Sequence, residues 1–139
     1  MCVFMSLADI KTRIEVIEET YEFMLAYAAQ GLEGDKGSKT GGQLRDFLKK
    51  ADEAIDHLAS ELRALVASDG LEPKAEYLGF VDVIEQDARA AGAGLKLVLA
   101  QDSISSQLID NMNANIHLRA LLTDLFLVDE IIKRSLATG

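Results

Sequence analysis

Apolar residues recur along this chain at alternating spacings of three and four, and this pattern constrains the fold more than any other feature. The clearest row runs through the middle of the first half: Leu44, Leu48, Ala51, Ile55, Leu58, Leu62 and Leu65. Because an α-helix has about 3.6 residues per turn, residues at these spacings fall on one face of a helix. Similar rows predict three more amphipathic helices. The row of the first is Ile10, Ile14, Ile17, Tyr21, Met24 and Ala28, that of the third is Tyr77, Val81, Ile84, Ala88, Ala91, Leu95 and Val98, and that of the last is described below.

The four predicted helices cover residues of about 7–30, 42–68, 73–101 and 104–136. The first and second are joined by a glycine-rich loop at 31–42, where Thr40 and Gln43 have the spacing of a capping box. Gly70 and Pro73 mark a short turn, in positions typical of a helix end and a helix start. Long amphipathic helices with mostly short connections predict an all-α, single-domain fold, an antiparallel up-down-up-down four-helix bundle.

The charge balance limits the classes of partner. With 14 basic and 23 acidic residues, the net charge is −9, so a nucleic-acid backbone or an anionic membrane surface would repel the chain. No uncharged apolar run approaches 18 residues, and the short apolar start at 1–7 lacks the basic residues of a signal peptide. We therefore expect a cytoplasmic protein that binds neither nucleic acid nor membranes.

Few residues are suited to catalysis or to metal binding. Cys2 is the single cysteine, which excludes a cysteine-rich zinc site. Carboxylate-bridged metal bundles use paired Glu-x-x-His motifs, but both His57 and His117 follow an alanine at that spacing. Glu53 and His57 are four residues apart, as expected for a surface ion pair. The sequence predicts a non-enzymatic protein with no metal and no cofactor.

The glycine-rich loop invites comparison with a phosphate-binding loop. That motif needs Gly-x-x-x-x-Gly-Lys-Ser/Thr between a strand and a helix, whereas here the glycine spacing differs and the preceding element is helical. A weaker alternative is an anion held by Lys39, Thr40 and the free N–H groups at the start of the second helix. We favour a flexible connector.

Polar residues interrupt the pattern in the last predicted helix. Its core row consists of Leu118, Leu121, Leu125, Val128 and Ile132. Continued backwards, the row passes through His117, Ala114 and Asp110. Three alternatives remain open, namely a change of packing partner near residue 117, a polar layer inside the bundle, or a helix interruption. The asparagines are the reason for the third alternative, because their side chains compete for backbone hydrogen bonds. We favour the change of packing partner.

A buried polar layer would form a candidate ligand or metal site. Asp110, Asn113 and His117 would share it with Tyr21, which lies in the middle of the apolar row of the first helix. The small residues at 88–94 would face this site and leave room for a ligand. In the alternative, His117 lies at a helix boundary in water, and the small residues allow two helices to approach closely or mark a kink.

Two further apolar strips lie off the main rows and predict an oligomer interface: Val16, Phe23 and Tyr27 in the first helix, and Ile109, Met112 and Ile116 in the last. A helix with two apolar faces usually has two partners. We therefore expect self-association, with a dimer favoured, and a role as an adaptor or regulatory module for another protein. The alternative function is a small-molecule or metal carrier with its polar site near His117.

Overall fold

The computed structural model describes residues 7–138, with side chains described up to residue 135; Cys2 and the apolar start of the chain lie outside this range. Within it there are six helices and no strand: α1 (Leu7–Ala29), α2 (Lys39–Ile55), α3 (Leu58–Ser68), α4 (Lys74–Leu99), α5 (Ser106–Ala114) and α6 (His117–Thr138). The predicted all-α class is confirmed. The predicted count of four helices is wrong, because the second and fourth are each divided in two. No described helix is both long enough and apolar enough to span a membrane.

The core follows the predicted apolar rows closely. Every residue of the rows in α2–α3, α4 and the described part of α6 is buried. In α1 the row is shifted near its end, since Thr20 and Tyr27 are fully buried whereas Tyr21 and Ala28 are only partly buried. Packing joins α1 to α2, α5 and α6, and it joins α4 to α2, α3 and α6.

An arginine from α1 stabilises the break between α2 and α3. At this break His57 adopts a left-handed conformation with φ of 61°. The carbonyl groups released at the end of α2 accept hydrogen bonds from Arg13 Nη1, at 2.9 Å for Ala54 and 3.1 Å for Asp56. Arg13 Nη2 lies 2.9 Å from the carboxylate of Glu61 in the first turn of α3. A side chain more than 40 residues away thus provides the hydrogen bonds that the helix end lacks.

The break between α5 and α6 is local in origin. The Asn115 N–H group donates to the carbonyl groups of Asn111 and Met112, which closes α5. The Asn115 side-chain oxygen accepts a hydrogen bond of 3.1 Å from the His117 N–H group, which opens α6. This is the competition between asparagine side chain and helix backbone that the sequence suggested. Of the three alternatives for this stretch, the interruption is present, and the packing partner changes at the same point, since α5 packs on α1 whereas α6 packs on both α4 and α1.

The small residues of α4 neither end nor interrupt that helix, which is continuous from Lys74 to Leu99. Gly92 is buried, and a β-carbon added there would lie 3.8 Å from the Ile55 side chain at the end of α2. Close approach of α4 to α2 is therefore one consequence of the thin segment. The same small side chains also leave shallow grooves on both sides of α4, described below.

Candidate functional site

The residues predicted to bind a ligand do not form a closed polar layer. Asp110 and His117 are exposed, and Tyr21 is partly exposed on α1. Asn113 is partly buried, and its side-chain N–H group donates to the Met24 carbonyl oxygen at 3.2 Å, which ties α5 to α1. Its side-chain oxygen is buried and accepts no hydrogen bond from the described residues. Asn113 therefore has a structural contact, and the other three have access to water.

Most of the predicted interface residues pack inside the chain. Tyr27 and Ile109 are completely buried, so neither offers a surface to a second molecule. Val16, Phe23 and Met112 are partly buried against the core. Of the six, Ile116 is the one with a large exposed surface, at 58%.

Two of these residues have identifiable partners within the chain. The ring of Phe23 stacks on that of Phe47 from α2, with centroids 4.7 Å apart. The Tyr27 hydroxyl donates to the Ile104 carbonyl oxygen at 2.7 Å, and burial followed by the nearby Asp35 charge raises the pKa of Tyr27. The second apolar strip of α1 thus packs within the molecule, because the chain supplies its own second partner for that helix.

The glycine-rich loop is organised around a buried carboxylate. Asp35 is 5% exposed, and its carboxylate pairs with the guanidinium of Arg45 and accepts a 2.6 Å hydrogen bond from the Ile104 N–H group. The hydrogen bond from Arg45 holds the pKa of Asp35 below its ordinary value. Arg45 also donates to the carbonyl groups of Leu99 and Gln101, at 3.1 and 2.9 Å. We call this group of contacts the Asp35–Arg45 clamp; it joins the loop before α2 to the loop after α4.

The start of α2 differs from the prediction. Ser38 is the cap, and its hydroxyl accepts a 2.9 Å hydrogen bond from the Gly41 N–H group, so the proposed Thr40–Gln43 capping box is wrong. Lys39 is exposed and Thr40 is partly buried. Because the buried Asp35 carboxylate belongs to the same loop, an anion bound here would meet a negative charge. The structure offers no additional support for the predicted anion site.

One groove, with a volume of about 500 Å³, lies where α2 and α3 separate, against α4. Its charged side chains occur as opposite pairs. Lys96 lies 2.6 Å from Asp52, Arg89 lies 3.3 Å from Glu85, and His57 lies 3.5 Å from its neighbour Asp56. The predicted ion pair between Glu53 and His57 is not among the described contacts. Since each cation has an anion close by, the groove presents no concentrated charge to a ligand.

A smaller groove of about 190 Å³ lies on the other side of α4. Gly94 and Leu97 of α4 line it together with Met112, His117 and Leu118. The thin segment of α4 and His117 therefore do face the same groove, as the carrier hypothesis requires. The remaining predicted ligand residues do not line it, and the groove is smaller than the roughly 300–1,000 Å³ of typical ligand sites.

A carboxylate pair lies at the contact between α4 and α6. The side chains of Asp87 and Asp124 approach each other, and the pKa of Asp124 is raised to about 7, first by burial and then by hydrogen bonding to Asp87 and by the Asp87 charge. Apart from this pairing, the buried Asp124 Oδ2 atom has no donor among the described residues. A carboxyl group beside another carboxylate keeps its proton to a higher pH, because the neighbouring like charge disfavours its ionised form.

The largest cluster of exposed apolar side chains lies on the outer side of α6. Phe126, Leu127 and Ile131 are 45%, 50% and 45% exposed. Leu127 and Ile131 are four residues apart and therefore adjacent on the helix surface, whereas Phe126 lies on the other side of the same exposed face, one turn from Glu130. Exposed apolar side chains grouped on one helix in this way make its outer surface a candidate for a protein–protein contact.

The charges of α6 differ from those of α1. The described part of α6 carries three acidic and three basic residues, whereas α1 carries five acidic and two basic residues. Two copies of a chain with a net charge of −9 repel one another least where their facing surfaces are neutral. We define the α6 outer face as Ile116, Arg119, Thr123, Phe126, Leu127, Glu130 and Ile131, all of which are exposed.

The described residues contain no group of three or more histidine, cysteine or acidic side chains arranged to hold a metal ion. Comparisons of the chain with the profiles of protein families, with curated protein sequences and with solved structures gave no match.

Proposed function

We propose that this protein is a non-enzymatic helical protein that acts by association, first with a second copy of itself and then with another protein as an adaptor or regulatory module. The exposed apolar patch of Phe126, Leu127 and Ile131 on α6 is the observation that carries the proposal. Burial of apolar surface is the main favourable contribution to most protein association. The cytoplasmic location remains a prediction from the sequence.

The interface proposed now differs from the one predicted from sequence. Tyr27 and Ile109 belong to the core of one chain, so they are removed from it. Ile116 is retained, because it is exposed at the start of α6 and lies on the α6 outer face. The outer face of α1 is unsuitable, since the exposed carboxylates of Glu15, Glu19 and Glu22 would meet their own copies across a two-fold axis.

Two substitutions test the proposal, one of an apolar residue on α6 and one of an apolar residue on α1. Leu127→Asp places a charge in the centre of the patch, whereas Leu25→Asp changes a residue of the same type and exposure, 47%, on α1. We expect the wild type and Leu25→Asp to have twice the chain mass of 15.1 kDa in light scattering coupled to a sizing column, and Leu127→Asp to have a single chain mass. A monomeric wild type across a concentration series would refute self-association, and an unchanged Leu127→Asp variant would exclude α6.

The second candidate function is a small-molecule or metal carrier that uses the groove beside His117. The shared lining of that groove by Gly94 and His117 supports it, and its small volume places it second. His117→Ala should then remove a bound mass seen by native mass spectrometry while leaving helicity unchanged. Absence of any bound mass in the wild type, or its full retention in the variant, would exclude this function.

A further inference from the structure

Two oppositely charged residues lie on one line along the α6 outer face. Arg119 and Glu130 are eleven residues apart, which is close to three helical turns, so their side chains leave the helix in nearly the same direction. The distance between them along the axis is about 16 Å at about 1.5 Å per residue. Both side chains are exposed, and Thr123 and Phe126 lie between them on the same line.

This spacing is self-complementary under two-fold symmetry. In an isologous dimer, residue i of one copy meets residue j of the other, and residue j of the first meets residue i of the second. An axis that crosses α6 midway between Arg119 and Glu130 makes the two helices antiparallel. It places each arginine opposite a glutamate and each Thr123 opposite a Phe126 of the second copy.

The remaining charges near this line are compatible with that axis. Lys133 would lie opposite Ile116 and Arg134 opposite Asn115, so neither basic residue meets another base. The intrachain contact of 3.3 Å between Arg134 and Glu130 joins two strongly exposed side chains, so it competes little with a new partner for Glu130.

Other registers lose both charge pairs or bring like charges together. An axis through Leu125 would place Arg119 opposite Ile131 and leave it without a partner, and an axis through Phe126 would place Arg119 opposite Lys133. An axis between Phe126 and Leu127 would place Arg119 opposite Arg134 of the second copy. A parallel pair would place each Arg119 beside its own copy. Like charges at matching positions destabilise a helix pair and select against these alternatives.

We infer that two copies of this chain pair through their α6 outer faces in an antiparallel arrangement, about a two-fold axis midway between Arg119 and Glu130, with each Arg119 contacting Glu130 of the second copy. The inference rests on the proposed self-association and adds its partner, its symmetry and its register. The apolar patch supplies the buried area, and the two charge pairs at its edge select this register over the others.

Charge reversal with rescue tests this register. Arg119→Glu and Glu130→Arg each create two repulsive pairs per dimer and should weaken the dimer by roughly tenfold. The double variant restores both pairs with reversed polarity and should return the dissociation constant, measured by sedimentation, to the wild-type value. Lys49→Glu and Glu15→Arg are matched controls, since they make the same charge changes at exposed positions of α2 and α1. Both should leave the dissociation constant unchanged.

The outcomes separate the register from the proposed function. Failure of the double variant to recover would overturn the register. Unchanged dimers in both single variants, together with a monomeric Leu127→Asp variant, would also overturn it and leave association through α6 in place. A monomeric wild type would overturn both. Circular dichroism of every variant confirms the fold, which is expected to persist because all the altered side chains are exposed.

Discussion

Asp124 is the residue whose ionisation is most altered by folding. Its pKa rises from an ordinary 3.8 to about 7, first because of burial and then because of the hydrogen bond and charge of Asp87. The folded chain therefore keeps a proton over a pH range in which the unfolded chain has lost it. The stabilisation from this proton is greatest below pH 3.8, the pKa of Asp124 in the unfolded chain, and it decreases as the pH rises from there toward 7.

Asp124→Asn should remove this pH dependence, because an amide donates to the Asp87 carboxylate without titrating. As the pH rises from about 4 to about 7, we expect the thermal midpoint of the wild type to decrease relative to that of the variant. The variant should then be the more stable protein at pH 8. Asp110→Asn, at an exposed position of α5, is the control and should follow the wild type. Parallel pH profiles for the wild type and Asp124→Asn would contradict the shared proton.

At the scale of single helices, apolar periodicity predicted the core well and the helix boundaries poorly. The row from Leu44 to Leu65 is buried throughout, although it crosses the break at Asp56 and His57. Because α2 and α3 both keep their apolar faces against the core, the interruption between them does not change the apolar periodicity. The row of apolar residues therefore gave no sign of the break. The break depends on Arg13, and contacts so distant in sequence cannot be identified from local pattern.

The break at Asn115 was accessible to prediction because its cause is local, in an asparagine that caps the next helix. The Asp35–Arg45 clamp was missed for the opposite reason. An aspartate among five glycines indicates a flexible connector, and neither Arg45 nor the loop after α4 is near enough in sequence to suggest otherwise.

The predicted interface failed at Tyr27 and Ile109, since a second apolar strip does not reveal whether its partner lies in the same chain.

The first turn of α2 allows a test with two adjacent glycines. A β-carbon at Gly41 would overlap the Asp35 carbonyl group, whereas one at Gly42 would have no neighbour within 4 Å. We expect Gly41→Ala to lower the free energy of unfolding by about 1–3 kcal/mol through overpacking. Gly42→Ala should raise it by about 0.5–1 kcal/mol, because alanine is the better helix residue. Urea denaturation of both variants measures the difference, and equal effects would show that the loop does not pack closely on α2.

At the scale of the whole molecule, the clamp joins the loop between α1 and α2 to the loop between α4 and α5. The clamp contains one buried ion pair, Asp35–Arg45, and an exposed pair outside the clamp, Lys36–Asp102, joins the same two loops. The exposed pair lies 2.8 Å apart, with 63% and 93% of its side-chain surfaces accessible. Pairs of these two kinds differ greatly in their effect on stability, because only the buried one leaves an unpaired charge in the interior when one partner is removed.

Asp35→Ala should therefore lower the free energy of unfolding by about 3 kcal/mol. This value is at the lower end of the range for breaking a buried ion pair, because the Arg45 side chain is 26% exposed. Asp102→Ala should have little effect. Urea titrations at neutral pH provide the comparison. The contribution of Asp35 is present above its ordinary pKa of 3.8 and is lost as the pH falls through its lowered folded pKa, so the two variants should converge in acid. Similar losses at neutral pH would indicate that the clamp is not buried in solution.

The clamp also has a consequence for the lifetime of the folded chain. Its hydrogen bonds to the end of α4 and the loop that follows join residues 54 to 69 positions apart, from Arg45 to Leu99 and from Asp35 to Ile104. Such distant groups meet only after the intervening helices have assembled, so these bonds are expected to be absent from the folding transition state. A contact of this kind slows unfolding and leaves the rate of folding almost unchanged. Loss of the Asp35 carboxylate should therefore leave a chain that folds at its usual speed but unfolds sooner.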